Sequence, residues 1–300
     1  MIKLIATDLD GTLFHPRRLI HGITNRNRYF LRDFLDNGND LLLASGRCPS
    51  IVDNMEHALK HRISFLGCNG GFLYEDGKVF NPLPLDRERI LELTANSYES
   101  FGIAGWLLFD DSEYISALLT KNTPAYIPWI APFSRMLTGF YNIRVKTDRK
   151  NFWDTLAHKN TYKLQACFGF GEKHSQETNQ AYLAMTTRYK DVFSIVVSGI
   201  VIEITNPKAN KGDGVMAYCR EHGIAPDEVF VIGDSGNDLT MFSRFPHSFA
   251  MANAPKHIQE GANHVVKGVY ELQHYLDHPE LLEGDTIKTI DYDKALSNII

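Results

Sequence analysis

The sequence predicts an α/β protein in which a mainly parallel β-sheet is interrupted by a long α+β insertion. In residues 1–83 and 207–300, short apolar runs alternate with amphipathic runs, the order of strands and helices in a parallel sheet. Residues 84–206 instead contain several segments in which hydrophobicity alternates at every second residue, as in antiparallel strands. We therefore expect a core domain formed by both flanks, with the insertion as a second domain.

Charge and aromatic content change at the same boundaries. The insertion holds thirteen basic and thirteen acidic residues, so the flanks carry the whole net charge of −5. It also holds 18 of the 34 aromatic residues. These differences support a division into residues 1–83 with 207–300 on one side and residues 84–206 on the other.

Composition limits the classes of function. With 300 residues, of which 44% are hydrophobic, the chain can bury a sizeable core. A net charge of −5 offers no basic field for a nucleic acid or an anionic membrane. The four cysteines lack zinc-site spacing, and neither a signal-peptide pattern nor an apolar run of about twenty residues is found. We expect a cytoplasmic protein that acts on a small molecule, and the sequence indicates no particular oligomeric state.

The first flank predicts three strands separated by helices. The apolar run KLIAT and the run DLLLASGR each end in polar residues, as buried strands do where they enter a loop. A helix ending at Gly38 lies between them, and a second helix and a glycine-rich hairpin follow. The predicted ranges are a strand over 3–7, a strand that enters a loop within 40–47, helices over 25–38 and 48–61, and a strand, turn and hairpin over 64–80.

The insertion and the second flank complete the prediction. We expect a helix over 86–100, strands within 102–120 and at 141–147, 161–170, 192–198 and 200–205, and a helix over 176–189. From Lys211 the order becomes helix, strand 228–233, helix 238–245, and strands 248–253 and 264–266. The proline-rich stretch 123–133 is either a lid with exposed aromatic residues or a structural loop whose Tyr126 and Trp129 pack in the insertion's core. Residues 279–300 form a polar tail whose order the sequence does not define.

The stretch DLDGTL places two aspartates, Asp8 and Asp10, directly after the first strand. Side chains two apart project to the same side of an extended backbone, so both carboxyls can face one reacting centre. One ionised carboxylate can act as a nucleophile, while the other transfers a proton. Gly11 permits a tight turn, and Thr12 can cap it or bind a phosphate oxygen. The alternative is that Asp-Gly forms only a turn.

Two further segments offer groups that bind anions. Ser45 and Gly46 follow the second strand at a helix start, where a hydroxyl and backbone N–H groups can bind phosphate or simply cap the helix. Lys211 lies at the start of another helix, where the positive end of the helix dipole disfavours a cation unless an anion is present. It is otherwise a surface lysine, and Lys208 is a competing candidate further from the helix start.

The stretch GDSGND places Asp234, Asn237 and Asp238 after the strand at 228–233. Asp234 is positioned to ligate a hard cation that Asp8 also contacts, and Mg²⁺ prefers a few carboxylates with waters and phosphate oxygens. The positive charge of such a cation would offset the repulsion between the acidic side chains. The alternative is a helix start capped by Ser235 or Asn237.

Taken in order, DLDGTL, Ser45 of ASGR, Lys211 and GDSGND resemble the four motifs of the haloacid dehalogenase (HAD) superfamily. The insertion resembles the large α+β cap of its Cof-type branch, and NGG (69–71) and MANA (251–254) are similar to segments of that branch. The resemblance implies a Rossmann-like parallel-sheet core with an inserted α+β cap domain. It also implies hydrolysis of phosphate monoesters with Mg²⁺ as cofactor.

The resemblance assigns a role to each motif residue. Asp8 would attack phosphorus and become an aspartyl phosphate, while Asp10 would protonate the leaving group and then activate water. Ser45 and Lys211 would hold phosphoryl oxygens, with Asn237 beside them, and Asp238 would orient Lys211 or a metal-bound water. Asp8, the backbone carbonyl of Asp10, and Asp234 would hold the metal ion.

Other functions on this fold compete with a phosphatase. A hydrolytic dehalogenase needs neither a proton-donating Asp10 nor a metal, and a P-type ATPase needs membrane-spanning segments. A sugar phosphomutase shares all four motifs, and a catalytically idle binding module shares the fold. The resemblance favours a small sugar phosphate as substrate, while nucleotides, pyridoxal phosphate and flavin mononucleotide stay open. Substrate choice is expected to depend on residues 84–206.

Overall fold

The computed structural model describes residues 1–15, 22–125, 144–169 and 172–290, with the side chain of Ser198 left out. The chain divides into two compact units. The core unit consists of Met1–Gly46, Val52–Asn81 and the chain from Asn210 onward, and the insert unit consists of Arg47–Ile51 and Pro82–Ala209. Each unit has its own sheet and its own hydrophobic core.

The core unit is built on a sheet for which the described residues supply eight strands. Six neighbouring strands run parallel, in the order β14-β13-β12-β1-β2-β3, and two antiparallel strands, β4 and β5, extend the sheet beyond β3. The strands are β1 Leu4–Thr7, β2 Asp40–Ala44, β3 Ser64–Gly67, β4 Phe72–Glu75, β5 Lys78–Phe80, β12 Val229–Gly233, β13 Ser248–Met251 and β14 His264–Val266.

The central strands are buried on both faces, which explains their continuous apolar sequences. All four residues of β1 and all five of β12 are buried. A parallel sheet has helices on both faces, so its inner strands lack the polar alternation of a half-exposed strand. The described helices of this unit are α1 Asn25–Asp36, α2 Val52–Leu59, α6 Lys211–His222, α7 Leu239–Phe242, α8 Lys256–Gly261 and α9 Leu272–Asp277.

The insert unit contains a second sheet, of six described strands, in the order β10-β11-β9-β6-β7-β8. All neighbouring pairs are antiparallel except β7 with β8. The strands are β6 Gly105–Phe109, β7 Tyr114–Leu119, β8 Arg144–Lys146, β9 Lys163–Cys167, β10 Ser194–Ser198 and β11 Val201–Thr205. Helices α3 Arg87–Ser97, α4 Arg149–His158 and α5 Glu172–Tyr189 contribute Ile90, Phe152 and Met185 to a core that includes Trp106.

The predicted fold class is confirmed: a parallel-sheet core carries an inserted α+β unit. Several element predictions are corrected. The sequence pattern does not predict helix α4, because the buried positions of α4 include Thr155 and its apolar periodicity is weak. The short helices α8 and α9 were also missed, and the helix expected over 176–189 begins at Glu172.

Some predictions fall outside the described residues. From residue 126 onward the stretch 123–133, for which a lid was one interpretation, is outside the described residues. Of the strand predicted at 141–147, only β8 is described. Residues 291–300 of the tail are outside as well. None of the described helices has both the length and the apolar composition that crossing a bilayer requires.

Candidate active site

Three of the four sequence motifs come together at one edge of the core sheet, and the fourth joins them from a helix. Asp8 follows β1, Ser45 follows β2 and Asp234 follows β12. These three strands are neighbours in the order β12-β1-β2, so their carboxyl ends meet at the same edge. Ligands of open α/β sheets bind at such an edge.

Lys211 connects the fourth motif to the first. It is the first residue of α6, whose N-cap Asn210 accepts a hydrogen bond from the backbone N–H of Asp213. The Lys211 ammonium donates to Asp8 Oδ1 at 2.6 Å and to Asp238 Oδ1 at 2.7 Å. These carboxylates supply the negative charge that stabilises a cation at a helix start. Lys208, the competing candidate, is exposed and belongs to the insert unit.

The three charged side chains of this cluster are almost completely removed from water. Asp8 is 5% exposed, Lys211 1% and Asp238 0%. A buried charge costs free energy unless it is paired, and here one ammonium faces two carboxylates. In the described structure this Asp8–Lys211–Asp238 cluster is therefore short of positive charge.

Burial and this charge imbalance shift the ionisation of the cluster. Burial raises the pKa of the Asp8 carboxyl, since it removes the water that stabilises the charged form, and the attraction of Lys211 only partly opposes the shift. The negative charge of Asp238 raises the pKa of Asp8 further. Burial alone would lower the pKa of Lys211, but the attraction of Asp238 and Asp8 outweighs it, so that pKa is raised.

The residues present fit a divalent cation. Asp8 Oδ2 is buried and has no hydrogen-bond partner among the described residues. Asp8, Asp234 and Asp238 each offer an oxygen, and these oxygens lie within 4.8 Å of one another. Hard cations such as Mg²⁺ take carboxylate oxygens, and a cation here would supply the missing positive charge.

Both oxygens of Asp238 already accept hydrogen bonds, which distinguishes it from the other two carboxylates of the cluster. While Asp238 Oδ1 accepts from Lys211, Asp238 Oδ2 accepts from the backbone N–H groups of Asp234 and Ser235, both at 2.9 Å. An added Cβ on Gly233 would lie 2.2 Å from the Asp238 carboxyl carbon. This close packing requires glycine at position 233.

The turn after β1 carries Asp10, Gly11 and Thr12. Gly11 has φ +90°, and a Cβ added there would lie 2.1 Å from Asp234 Oδ2, so the turn needs glycine for both its backbone and its space. The Thr12 hydroxyl donates to Asp234 Oδ1 at 3.1 Å. Asp10 is exposed to solvent, whereas Thr12 is buried. The hydroxyl proton of Thr12 is thus directed at Asp234.

The remaining predicted residues lie in loops at the same edge. Ser45 is buried, and its backbone N–H donates to the carbonyl of Leu66. Asn237 is exposed, and its side-chain amide donates to Asn69 Oδ1 at 3.1 Å. The structure thus places Ser45, Gly46 and Asn237 around the loop that follows β3.

Two residues of this edge were not assigned a role from the sequence. Asn69 accepts the bond from Asn237, and Asn253 donates to the backbone carbonyl of Gly11 at 3.2 Å. Both lie in the segments NGG and MANA, which could be noted only as similar to a known branch. Their contacts join residues far apart in the chain, so no local spacing indicates them.

The fold and the site are typical of HAD-type hydrolases. An acidic cluster with one buried lysine lies at the carboxyl edge of a Rossmann-like sheet, and the chain carries an α+β insertion. The comparison with known families agrees: the family model for haloacid dehalogenase-like hydrolases matches residues 5–271. The chain belongs to this family. Family membership and the phosphatase names of its relatives identify the protein as a phosphoric monoester hydrolase.

Two curated relatives of this chain are named as phosphatases. The chain is 25% identical over 301 residues to the 5-amino-6-(5-phospho-D-ribitylamino)uracil phosphatase YwtE of Bacillus subtilis, covering 94% of this chain and 99% of that one. It is 26% identical over 260 residues to the YbjI phosphatase of Escherichia coli, named for the same compound, covering 84% and 86%. A haloacid dehalogenase-like hydrolase from Bacteroides thetaiotaomicron has a similar fold, with a TM-score of 0.73 and 20% identity over 92% of this chain and 100% of that one.

Proposed function

We propose that this protein is a Mg²⁺-dependent phosphatase that hydrolyses monoesters of small phosphorylated metabolites through an aspartyl phosphate on Asp8. One observation carries the proposal. The two oxygens of the buried Asp8 carboxyl differ: Oδ1 accepts from Lys211, while Oδ2 has no partner among the described residues. A carboxylate fixed on one side and unsatisfied on the other is suited to meet a cation and a phosphoryl group.

Asp8 and Asp10 share the chemistry in this proposal. The Asp8 carboxylate attacks phosphorus, and the P–O bond to the leaving alcohol breaks as the new bond forms. Asp10, which is exposed on the turn after β1, donates a proton to the leaving oxygen. In the second step Asp10 removes a proton from a water that attacks phosphorus, and the P–O bond to Asp8 breaks to release phosphate and the free carboxylate. The proton that Asp10 gives up in the first step is regained from water in the second, so Asp10 returns to its starting state.

The phosphoryl oxygens are held by groups around Asp8. An ammonium has three N–H donors, and among the described residues the contacts of Lys211 with Asp8 and Asp238 use two. The third is proposed to donate to a phosphoryl oxygen. Ser45, Gly46 and Asn237 are proposed to bind the other oxygens with Thr12 beside them. The bond from Thr12 to Asp234 gives its hydroxyl a further role, in orienting that carboxylate.

Asp8, Asp234 and the backbone carbonyl of Asp10 would hold the magnesium ion. When bound, the ion supplies positive charge that favours the ionised form of Asp8 and lowers the repulsion between this carboxylate and an anionic ester. Asp238 positions Lys211 through the buried ion pair.

We propose a sugar phosphate or a related polyol phosphate as substrate. The two relatives are named for a compound whose phosphate lies on a ribityl chain, which belongs to this chemical class. We further propose that residues 1–83 and 207–300 form the catalytic domain and that residues 84–206 form a cap that selects the ester. The candidate chemical groups all lie in the core unit, which leaves selection to the insertion.

The test is phosphate release from a panel of esters with and without Mg²⁺. The panel contains p-nitrophenyl phosphate, hexose and pentose phosphates, the phosphoribitylaminouracil named above, pyridoxal 5′-phosphate, flavin mononucleotide and nucleotides. Asp8→Asn is compared with Asp227→Asn, an exposed aspartate before the opposite end of β12. We expect Mg²⁺-dependent release that Asp8→Asn abolishes and Asp227→Asn preserves.

Other outcomes would replace the proposal. Conversion of one sugar phosphate into its isomer without free phosphate would make the protein a phosphomutase. Binding of esters without any turnover would make it an idle binding module. Robust release by Asp8→Asn, after deamidation and contaminating phosphatases have been checked by mass spectrometry, would refute the assigned nucleophile.

A further inference from the structure

The loop that follows β3 has an unusual backbone. Three successive residues, Cys68, Asn69 and Gly70, have positive φ angles of 51°, 58° and 101°. Left-handed backbone is unfavourable for residues other than glycine, and it persists where the surrounding structure enforces it. Such backbone outliers concentrate at functional sites, so the contacts of this loop are candidates for a functional role.

The loop contacts the serine motif through its backbone and its side chain. The Asn69 N–H donates to the Ser45 carbonyl at 2.9 Å. A Cβ added to Gly46 would lie 3.1 Å from Asn69 Oδ1 and 3.3 Å from Asn69 Nδ2, so the Asn69 amide packs closely on this glycine. The position of Ser45 and Gly46 is therefore linked to that of Asn69.

The same loop contacts the other two phosphate-binding segments. Asn69 Oδ1 accepts from the amide of Asn237 at 3.1 Å. A Cβ on Gly70 would lie 2.2 Å from the backbone oxygen of Asn210, the residue that caps the helix beginning with Lys211. One turn of three residues thus lies against the segments of Ser45, Lys211 and Asn237.

We propose that Asn69 is a positioning residue for the reaction: its side-chain amide fixes Asn237 and the Ser45–Gly46 turn at the spacing that a phosphoryl group requires. This inference rests on the proposed phosphatase function. Glycine would adopt the backbone angles of position 69 at less cost, but it would leave Asn237 without an acceptor there. Asparagine tolerates the left-handed region and supplies that acceptor.

The kinetic test separates this role from backbone effects. Asn69→Gly relieves the left-handed backbone and removes the amide, so it should fold normally. We expect its kcat/KM for p-nitrophenyl phosphate to fall about tenfold, since displaced binding groups slow a reaction that depends on positioning. Because Asn69 acts partly through Asn237, the loss of kcat/KM in the double variant with Asn237→Ala should be smaller than the product of the two single losses.

Asn81→Gly is the matched control. Asn81 also has a positive φ, of 48°, and its amide donates to Glu221 at 2.7 Å. Glu221 lies ten residues along α6 from Lys211, about 15 Å at 1.5 Å per residue. Asn81→Gly should keep wild-type kcat/KM. The inference would be overturned by wild-type kcat/KM in Asn69→Gly. It would also be overturned if the loss of kcat/KM in the double variant equalled the product of the losses in Asn69→Gly and Asn237→Ala.

Hydrogen exchange on the full-length protein makes the test independent of turnover. Asn69→Gly should speed amide exchange in the segments that contain Ser45 and Asn237, and Asn81→Gly should not. If the wild-type protein releases no phosphate from any ester, the proposed function fails and the exchange data alone decide whether Asn69 holds these segments. Unchanged exchange in both segments overturns the positioning role, whatever the activity.

Discussion

Asp238 accepts a hydrogen bond from the ammonium of Lys211 at 2.7 Å with one carboxylate oxygen. Its other carboxylate oxygen accepts from two backbone N–H groups of the loop that contains Asp238. This single side chain therefore joins the start of α6 to the loop after β12. Both side chains are buried, so no water can replace either partner. The same ammonium also donates to Asp8 Oδ1 at 2.6 Å, so Asp238 and Asp8 hold Lys211 together.

Asp238→Asn tests this relationship. The amide keeps the shape of the carboxylate but loses its charge, so Lys211 should turn more strongly toward Asp8. We expect kcat to fall about 100-fold, the effect of removing one preorganised electrostatic group. Stability should fall by up to about 3 kcal/mol, the lower end for breaking a buried ion pair, because Lys211 keeps Asp8 as partner. Steady-state kinetics and urea unfolding measure the two effects, and wild-type kcat in Asp238→Asn would contradict the assigned role.

Gly11→Ala tests the packing of the turn against Asp234. The new Cβ would overlap Asp234 Oδ2, which must move or tilt the turn. We expect kcat/KM to fall about 100-fold, since small displacements of catalytic groups have effects of this size. Kinetics at saturating Mg²⁺ measure it.

Gly77→Ala is the matched control for Gly11→Ala. Gly77 also has a positive φ, of 77°, but nothing lies within 4 Å of an added Cβ. It should cost about 1–2 kcal/mol of stability through the backbone alone and leave kcat/KM unchanged. Equal activity loss in both variants would show that packing against Asp234 is not the cause.

Metal removal tests the assignment of Asp234. Dialysis against EDTA should abolish phosphate release, and Mg²⁺ should restore it. Asp234→Asn should raise the Mg²⁺ concentration needed for half-maximal activity, since one ligand loses its charge. Isothermal calorimetry with Mg²⁺ alone should show weaker binding than in the wild type, a readout that needs no turnover. Full activity in metal-free protein would refute the cation site.

The parts of the site that the sequence predicted share one property. Asp8, Ser45 and Asp234 each end a short apolar run, and the end of a parallel strand is a place that local patterning identifies. Because adjacent parallel strands share an edge, the motifs could be expected to converge before any distance was known. Their roles in the reaction stay predictions until the variants are measured.

The parts that the sequence did not predict depend on long-range contacts. Asn69 meets Asn237 across 168 residues, and the helix α4 is fixed by Phe152 and Leu156 in the insert core rather than by a strong apolar face. Asp148 does cap α4 by accepting from the Asn151 N–H, a local signal that could have revealed the helix. Tertiary packing decides such elements, and single-sequence patterns carry little of it.

The cysteines provide a test of burial. Burial raises the pKa of the Cys219 thiol to about 12, and it raises that of Cys167 to about 12 with a contribution from Glu203. An unfolded thiol has a pKa of about 8.5, so the unfolded chain loses these protons first as pH rises. Their contribution to stability is complete below about pH 8.5 and declines as pH rises towards 12.

At pH 8, both thiols should resist iodoacetamide in the folded protein and react in urea, as peptide mass spectrometry can show. Rapid native labelling of Cys219 would contradict its burial.

Two histidines attach the carboxyl-terminal segment to the neighbourhood of strands β13 and β14. Asp285 lies 2.9 Å from Nδ1 of His247, just before β13, and 2.9 Å from Nε2 of His264, at the start of β14. The neighbouring carbonyl of Thr286 accepts from the Asn263 amide at 2.8 Å. Asp285→Ala should therefore lower stability by about 1–3 kcal/mol, because two partly buried rings lose their acceptor. It should also expose the segment to trypsin at Lys288, whose ammonium donates to the backbone of Ala262 at 2.5 Å. Glu283→Ala, an exposed change two residues away, is the control and should alter neither property. Equal melting temperatures and equal trypsin cleavage rates for the two variants would show that Asp285 does not hold the segment in place. A lower melting temperature and faster cleavage in Asp285→Ala alone would establish a structural role for a segment whose order the sequence does not define.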